Sequence, residues 1–177
     1  MGIGGQLVTI VVDVANVMGS RPDGWWRDRA GAAVRLHADI VRLAASGRAT
    51  LPDEPGEDGT ERAGVPGFVM VLEGAAKAAA ARLTPPEPDA PPELGAAGEP
   101  DPPPELDPAH ADLRPARPGE VRVVQAVGSG DDAIVAVVRR LPGRRVVVTA
   151  DRALRERCVA AGAEIRGPGW LLGLIRG

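Results

Sequence analysis

The sequence predicts an α/β protein: a single domain on one open, mostly parallel five-stranded sheet with helices on both faces. Two observations lead there. Runs such as LVTIVVD at 7–13 and RVVVT at 145–149 are nearly continuous in β-branched residues, as strands buried on both faces require. Segments of helical periodicity separate such runs, so successive strands are joined by crossovers and lie parallel. A length of 177 residues suits one domain with a full core and is short for two.

The first strand, 7–13, ends on Asp13. A helix is expected over 28–45, where Val34, Ile40 and Val41, with Ala30, Ala33, Leu36, His37, Leu43 and Ala44, recur near helical spacing. GFVMVL at 67–72 is the second strand, and the alanine-rich 75–83 reads as a helix. VRVVQAV at 121–127 is the third strand, followed by a helix over 132–141. After the fourth strand, RVVVT, a helix over 152–161 is closed by Gly162, and 163–165 forms a short last strand. A final helix over 168–175 carries proline in its first turn. Ligands of such sheets sit beyond the C-terminal ends of the strands.

Two stretches fall outside this rhythm. Residues 84–118 hold 12 prolines and eight acidic residues against two arginines, with hardly any large apolar side chain. Too little surface can be buried there to offset the ordering entropy, so a disordered, partly polyproline loop is expected. Residues 48–66, with five acids and two arginines, read as a second polar loop insertion. Setting both aside reduces the 21 basic residues to 17 and the 24 acidic ones to 11, so a chain of net charge −3 has a foldable core of about +6. The expected partner is therefore anionic, with the acidic loops competing for the same surface. Twenty of the basic residues are arginine and tyrosine is absent, a coding bias that removes weight from raw arginine counts. No apolar run reaches the roughly 18 residues of a membrane span, and no basic segment with a hydrophobic stretch and cleavage site opens the chain. A cytoplasmic protein without a membrane partner is expected. The single cysteine, Cys158, excludes an internal disulfide, a zinc cluster and a redox pair.

The chemistry follows from where the carboxylates fall. Asp13 closes the first strand, Glu73 follows the second, Asp131 and Asp132 follow the third and its GSG turn, and Asp151 stands just past the fourth. An open parallel sheet gathers those ends at one rim. Two carboxylates about 4 Å apart repel by roughly 4 kcal/mol at an effective dielectric near 20, so a cluster needs a cation or a shared proton. With oxygen donors alone the cation is hard, Mg2+ or Mn2+, and the substrate that suits it is a phosphate ester. Each residue also has a plainer reading. Asp13 accepts hydrogen bonds from turn amides, and Asn16 tolerates a left-handed turn. Ser129 and Asp132 form an S-x-x-D pattern close to a capping box, and either Asp131 or Asp132 favours a helix N-terminus. Asp151 suits the N-cap of the helix it precedes. Capping and metal binding are compatible, and an acid closing so apolar a strand as 7–13 favours a site.

Three short motifs, by their order and placement, resemble the PIN/NYN nuclease superfamily. They are the D-x-x-N of Asp13 and Asn16 after the first strand, the G-S-G-D-D at 128–132 before a helix, and the T-A-D-R at 149–152 after the fourth strand. They resemble in particular the YacP-like NYN proteins, small bacterial domains thought to act on RNA. The resemblance implies a PIN-like fold. It also implies a metal held by Asp13, by Asp132 or Asp131, and by Asp151, with Asn16 ordering the first turn and Thr149 supporting the last. The VLEG at 71–74 resembles the family's second strand, where an aspartate is usual; Glu73 departs from that pattern. The resemblance spans both ends of the chain and leaves out the two polar insertions.

The expected activity is that of a metal-dependent, ribonuclease-like phosphodiesterase cleaving RNA, single-stranded by preference. Asp13, Asp132 and Asp151 carry catalysis, these three and Asp131 hold the Mg2+ or Mn2+, Glu73 adjusts the site, and Arg27, Arg29 and Arg152 grip phosphate. Trp25 and Trp26, in DGWWRDR, either cap the core or stack on unpaired bases. His37 is expected to pack in the core, His110 to have no chemical role, and Cys158 to be buried. Arg139, Arg140, Arg144 and Arg145 surround a turn at the opposite edge of the sheet and are expected to be solvated. The alternative is a noncatalytic RNA-binding or toxin-like regulatory module on the same fold, which the Glu73 departure permits; a homodimer is compatible with both. A nucleotide-binding enzyme has little support, since no G-x-x-x-x-G-K-[ST] loop exists and the GSG lacks dinucleotide-fingerprint spacing. Phosphatases with an aspartyl nucleophile want D-x-D after the first strand, and position 15 is alanine.

Overall fold

The computed structural model describes residues 7–49, 51, 65–83 and 115–177. The strands β1 (Val8–Asp13), β2 (Gly67–Leu72), β3 (Val121–Gln125), β4 (Arg144–Val148) and β5 (Glu164–Arg166) form one parallel sheet in the order β3-β2-β1-β4-β5. This is the five-stranded open sheet expected from the sequence. Because side chains alternate across a strand, β1 feeds two cores. Ile10 and Val12 join Phe68, Met70, Leu72, Val146 and Val148 on one face, under α1 (Val14–Gly19), α2 (Arg29–Ser46), α3 (Ala80–Leu83) and α6 (Pro168–Arg176). Val11 joins Val69, Val71 and Val147 on the other, under α4 (Gly130–Arg140) and α5 (Arg152–Ala160). Full burial of each Val or Ile contributes about 1.5–3 kcal/mol, and apart from the buried Thr9 no polar side chain interrupts β1 and β2 until β1 reaches Asp13.

The longest helix shows its boundaries in sequence. The Asp28 carboxylate accepts from Gly31 N at the start of α2, Leu36, Ile40 and Leu43 supply its buried stripe, and Gly47 ends it at φ 65°. Other elements differ from expectation. The six-residue α1 was not expected; it is too short to show a hydrophobic period. The helix expected over 75–83 is a 3-10 helix from Gly74–Ala79 that becomes α-helical only over Ala80–Leu83. No capping box forms at α4, where the Ser129 side chain makes no cap hydrogen bond. Arg144 and Arg145 are not solvated: Arg144 donates twice to Glu164, at 2.5 and 3.0 Å, and Arg145 donates to the carbonyls of Val138, Leu141 and Gly162.

The ends of both expected insertions belong to the fold. Ala49 and Leu51 are buried on the α2 side, and Ala116 packs so tightly on Gly67 that a Cβ there would lie 2.5 Å from the Ala116 carbonyl oxygen. The remainder of the two loop assignments, 52–64 and 84–114, and His110 with them, lies outside the described residues. No helix among the described residues is long and apolar enough to cross a membrane.

The strand order places the site. From β1 the chain winds outward through β2 to β3, then returns past β1 to add β4 and β5 on the opposite side. The crevice beyond the C-terminal ends of β1 and β4 is thus the topological switch point, where open α/β sheets bind their ligands.

Candidate active site

Asp13 is the last residue of β1 and the N-cap of α1, with 5% of its surface exposed. Its Oδ1 accepts from Asn16 N at 3.1 Å, and its Oδ2 accepts from Asn16 Nδ2 and from the Thr149 hydroxyl, each at 2.8 Å. Thr149 follows β4 directly, so the last of these bonds spans the crevice. Asn16 Oδ1 accepts from Ala150 N at 3.3 Å, and Thr149 Oγ1 accepts from Asp151 N at 3.1 Å. The end of β1, the first turn of α1 and the loop from β4 to α5 therefore form one connected network, whose low local dielectric strengthens each bond.

Burial pushes the Asp13 carboxyl above the ordinary carboxylate range. The hydrogen bonds from Asn16 N, Thr149 and the Asn16 side chain pull it back only in part, and the charge of Glu73 adds to the rise. Asp131, in the first turn of α4, is half-buried, and its carboxylate has no hydrogen-bond partner among the described residues. Its carboxyl is raised too, first by burial and then by the charges of Asp151 and Asp13, with Arg157 opposing. Asp151 caps α5, its Oδ1 accepting from Leu154 N at 2.7 Å.

The adjacent pair at the start of α4 divides in two. The Asp132 side chain is 70% exposed and bonds Arg157 of α5 at 2.5 Å, whereas it is Asp131 whose charge meets those of Asp13 and Asp151. Glu73, just past β2, spends its Oε2 on Gly130 N at 3.0 Å and so caps α4 in place of Ser129. Gly130 is what permits this approach, since a Cβ there would lie 2.1 Å from Glu73 Oε2. Sequence reading had no access to this contact between residues 57 apart. It also passed over Arg155, whose Nε holds the Thr149 carbonyl at 3.2 Å, and Arg157. Their only sequence signal is basic residues in the helix that follows T-A-D-R.

The arginines expected to grip phosphate are dispersed. Arg152 is 93% exposed and pairs with Glu156 at 3.4 Å, an exposed contact of little energetic weight. Arg27 ends a 3-10 turn, Trp25–Arg27, and Arg29 opens α2; neither joins the network around Asp13. Arg27 lies 6.0 Å from the centre of the Trp26 ring, and Arg29 lies 5.4 Å from that of Trp25. His37 is half-buried on α2, where burial lowers its pKa, and burial raises the Cys158 thiol to about 11, which keeps it protonated.

Asp13, Glu73, Asp131 and Asp151 place carboxylate oxygens past the strand ends at one rim, the donor type that a hard divalent cation takes. Burial raises both Asp13 and Asp131, the charges of neighbouring acids add to the rise, and a cation would relieve that added repulsion. Among the described residues, however, no three acidic, histidine or cysteine side chains stand close enough to close on one ion together.

No family model matches the sequence, and no curated protein matches it. The fold is similar to that of Rae1 (YacP) from Bacillus subtilis, seen in a crystal structure of a tryptophan-to-leucine mutant. The TM-score is 0.53 at 14% sequence identity, over 96% of this chain and 76% of that one. The PIN-like α/β fold implied by the motif resemblance is thus the fold found.

Proposed function

We propose that this chain is a divalent-cation-dependent phosphodiesterase acting on RNA, with Asp13 at the centre of its site. The observation that carries the reading is the hydrogen bond from Thr149 to Asp13 across the β1/β4 switch point, with the charges of Asp131 and Asp151 bearing on the same place. Asp13, Asp131 and Asp151 are the residues that would hold the ion, Mg2+ or Mn2+; they do not close on one point as they stand, and the Asp131 carboxylate, half-buried and without a hydrogen-bond partner among the described residues, is the one most ready to swing towards it. Asp132 serves instead to fix α4 against α5 through Arg157. Once bound, such a cation polarises a phosphoryl oxygen and lowers the pKa of a coordinated water. Asn16 and Thr149 orient the Asp13 carboxylate, and Glu73 sets the position of the helix start that carries Asp131. RNA as the substrate rests on the NYN resemblance, the likeness to the Rae1 fold and the basic balance outside the acidic stretches.

Incubating the purified protein with mixed-sequence RNA and Mn2+, with and without chelator, tests this. Cleavage is expected only with the metal, and Asp13→Asn is expected to abolish it while RNA binding persists. RNA binding without cleavage by the unmodified protein would instead establish a noncatalytic module. Cleavage by Asp13→Asn at the unmodified rate would remove Asp13 from the mechanism.

A further inference from the structure

The two adjacent tryptophans have different environments. Trp25 packs against the core on the α2 side, whereas Trp26 is 57% exposed, and of the three tryptophans and one phenylalanine in the chain it alone is exposed. Its exposure does not come from a loose loop. Asp23 Oδ1 accepts from Trp25 N at 3.2 Å, Gly24 takes the left-handed conformation at φ 74° and accepts from Arg27 N at 3.0 Å, and Asp28 caps α2 immediately afterwards. The Trp25 ring meets that of Trp26 edge to face, with centroids 6.4 Å apart. Trp26 is thus held outward by a fixed turn, and ordering it costs a ligand little.

Arg27 and Arg29 lie over the two indoles, both are exposed, and neither has a carboxylate partner among the described residues. A fixed, exposed indole with two nearby guanidinium groups that have no carboxylate partner among the described residues complements a ligand that alternates flat rings with negative charge. We propose that Trp26 is a stacking platform for an unpaired base of single-stranded RNA, with Arg27 and Arg29 on the phosphates that flank it. Trp25 adjoins Gly19, the last residue of α1, and Asp13 caps the opposite end of that helix. At 1.5 Å per residue α1 is about 9 Å long, so one strand of RNA can lie on the platform and reach the acidic rim. A duplex keeps its bases stacked on one another and offers Trp26 none. The inference rests on the RNA reading above but not on cleavage.

The experiment is fluorescence anisotropy with a labelled 12-nucleotide single-stranded RNA and chelator present, so that nothing is cut. Trp26→Leu is expected to weaken binding about 10-fold, as loss of one stacked base commonly does, and Trp26→Phe to keep most of the affinity. Duplex RNA of the same sequence is expected to bind more weakly and without regard to residue 26. Thermal melts of each variant exclude a folding defect. Unchanged affinity in Trp26→Leu, equal dependence on residue 26 for duplex and single strand, or no binding of RNA at all overturns the proposal. The two readings separate cleanly. A protein that cuts RNA with the same KM after Trp26→Leu keeps the nuclease and loses the platform, and one that never cuts yet binds through Trp26 does the reverse.

Discussion

The Thr149 hydroxyl and the Asp13 carboxylate, 136 residues apart in sequence, meet at 2.8 Å across the crevice between β1 and β4. Thr149 is fully buried, and its oxygen also accepts from Asp151 N. Thr149→Val keeps the shape and removes both roles, leaving a buried carboxylate oxygen with one donor fewer and a backbone amide with none. We expect a loss of about 1–3 kcal/mol in denaturant unfolding, with most of it restored by Thr149→Ser. Cleavage should fall with Thr149→Val even at temperatures where the variant is fully folded, because the Asp13 carboxylate is no longer fixed on its β4 side.

Asp13 and Glu164 should give pH dependences of opposite sign. The Asp13 carboxyl is raised in the folded protein by burial, so the folded state binds that proton more tightly than the unfolded one. Its contribution is fully present below the unfolded value and is lost as pH rises through the raised folded value. Glu164 is lowered, chiefly by the hydrogen bonds from Arg144, so its contribution is present above the unfolded value and is lost as pH falls through the lowered one. In metal-free protein, Asp13→Asn should therefore gain relative to the unmodified protein as pH rises from the acid side. Glu164→Gln should instead lose on the same titration, by about 1 kcal/mol at neutral pH given its partial exposure. Thermal melts from acid to neutral pH would refute the assignment if both variants moved in the same direction.

Metal binding should distinguish the two neighbouring aspartates of α4. A cation that binds only the folded state at 100 times its dissociation constant stabilises by about 2.7 kcal/mol, a shift of several degrees in melting temperature. Mn2+ is expected to give this shift in the unmodified protein and in Asp132→Asn, and to fail in Asp13→Asn and Asp131→Asn. Asp132 is 70% exposed and paired with Arg157, so its removal should cost little else. Loss of the shift in Asp132→Asn with its retention in Asp131→Asn would return the ligand role to Asp132.

The parts of this molecule that were legible in sequence are those fixed by local rules. β1, β2 and β4 announce themselves because strands buried on both faces leave dense runs of β-branched and apolar residues, and α2 because its stripe repeats over 18 residues between an Asp cap and a glycine. The rim acids were legible because each lies just past a strand, and the parallel topology brings strand ends together. What was not legible depends on which way a side chain turns. Whether Asp131 or Asp132 faces the crevice is set by the helical phase of α4 and by Arg157 on a different helix. The cap of α4 is similar. The sequence offers Ser129 in a favoured position, and the structure uses Glu73 from the neighbouring crossover because Gly130 lets it come close.

That last contact supports a double-mutant test. Glu73→Ala removes the acceptor for Gly130 N and should cost about 1 kcal/mol, as loss of an N-cap does. Gly130→Ala introduces a Cβ where Glu73 Oε2 now lies and must push the Glu73 side chain away, so it should cost a similar amount despite the better helix propensity of alanine. If both act through the same contact, their effects cannot add. With Glu73 already truncated, Gly130→Ala meets open space and should be neutral or slightly stabilising, an interaction energy of about 1 kcal/mol or more in the cycle. Glu73→Gln keeps an oxygen acceptor for Gly130 N and removes a charge that adds to the rise burial imposes on Asp13, so it should retain the fold and bring the Asp13 carboxyl down slightly while leaving it raised. Additive losses in the double mutant, measured by urea unfolding, would mean that Glu73 and Gly130 act independently and that the start of α4 is held by something other than this carboxylate.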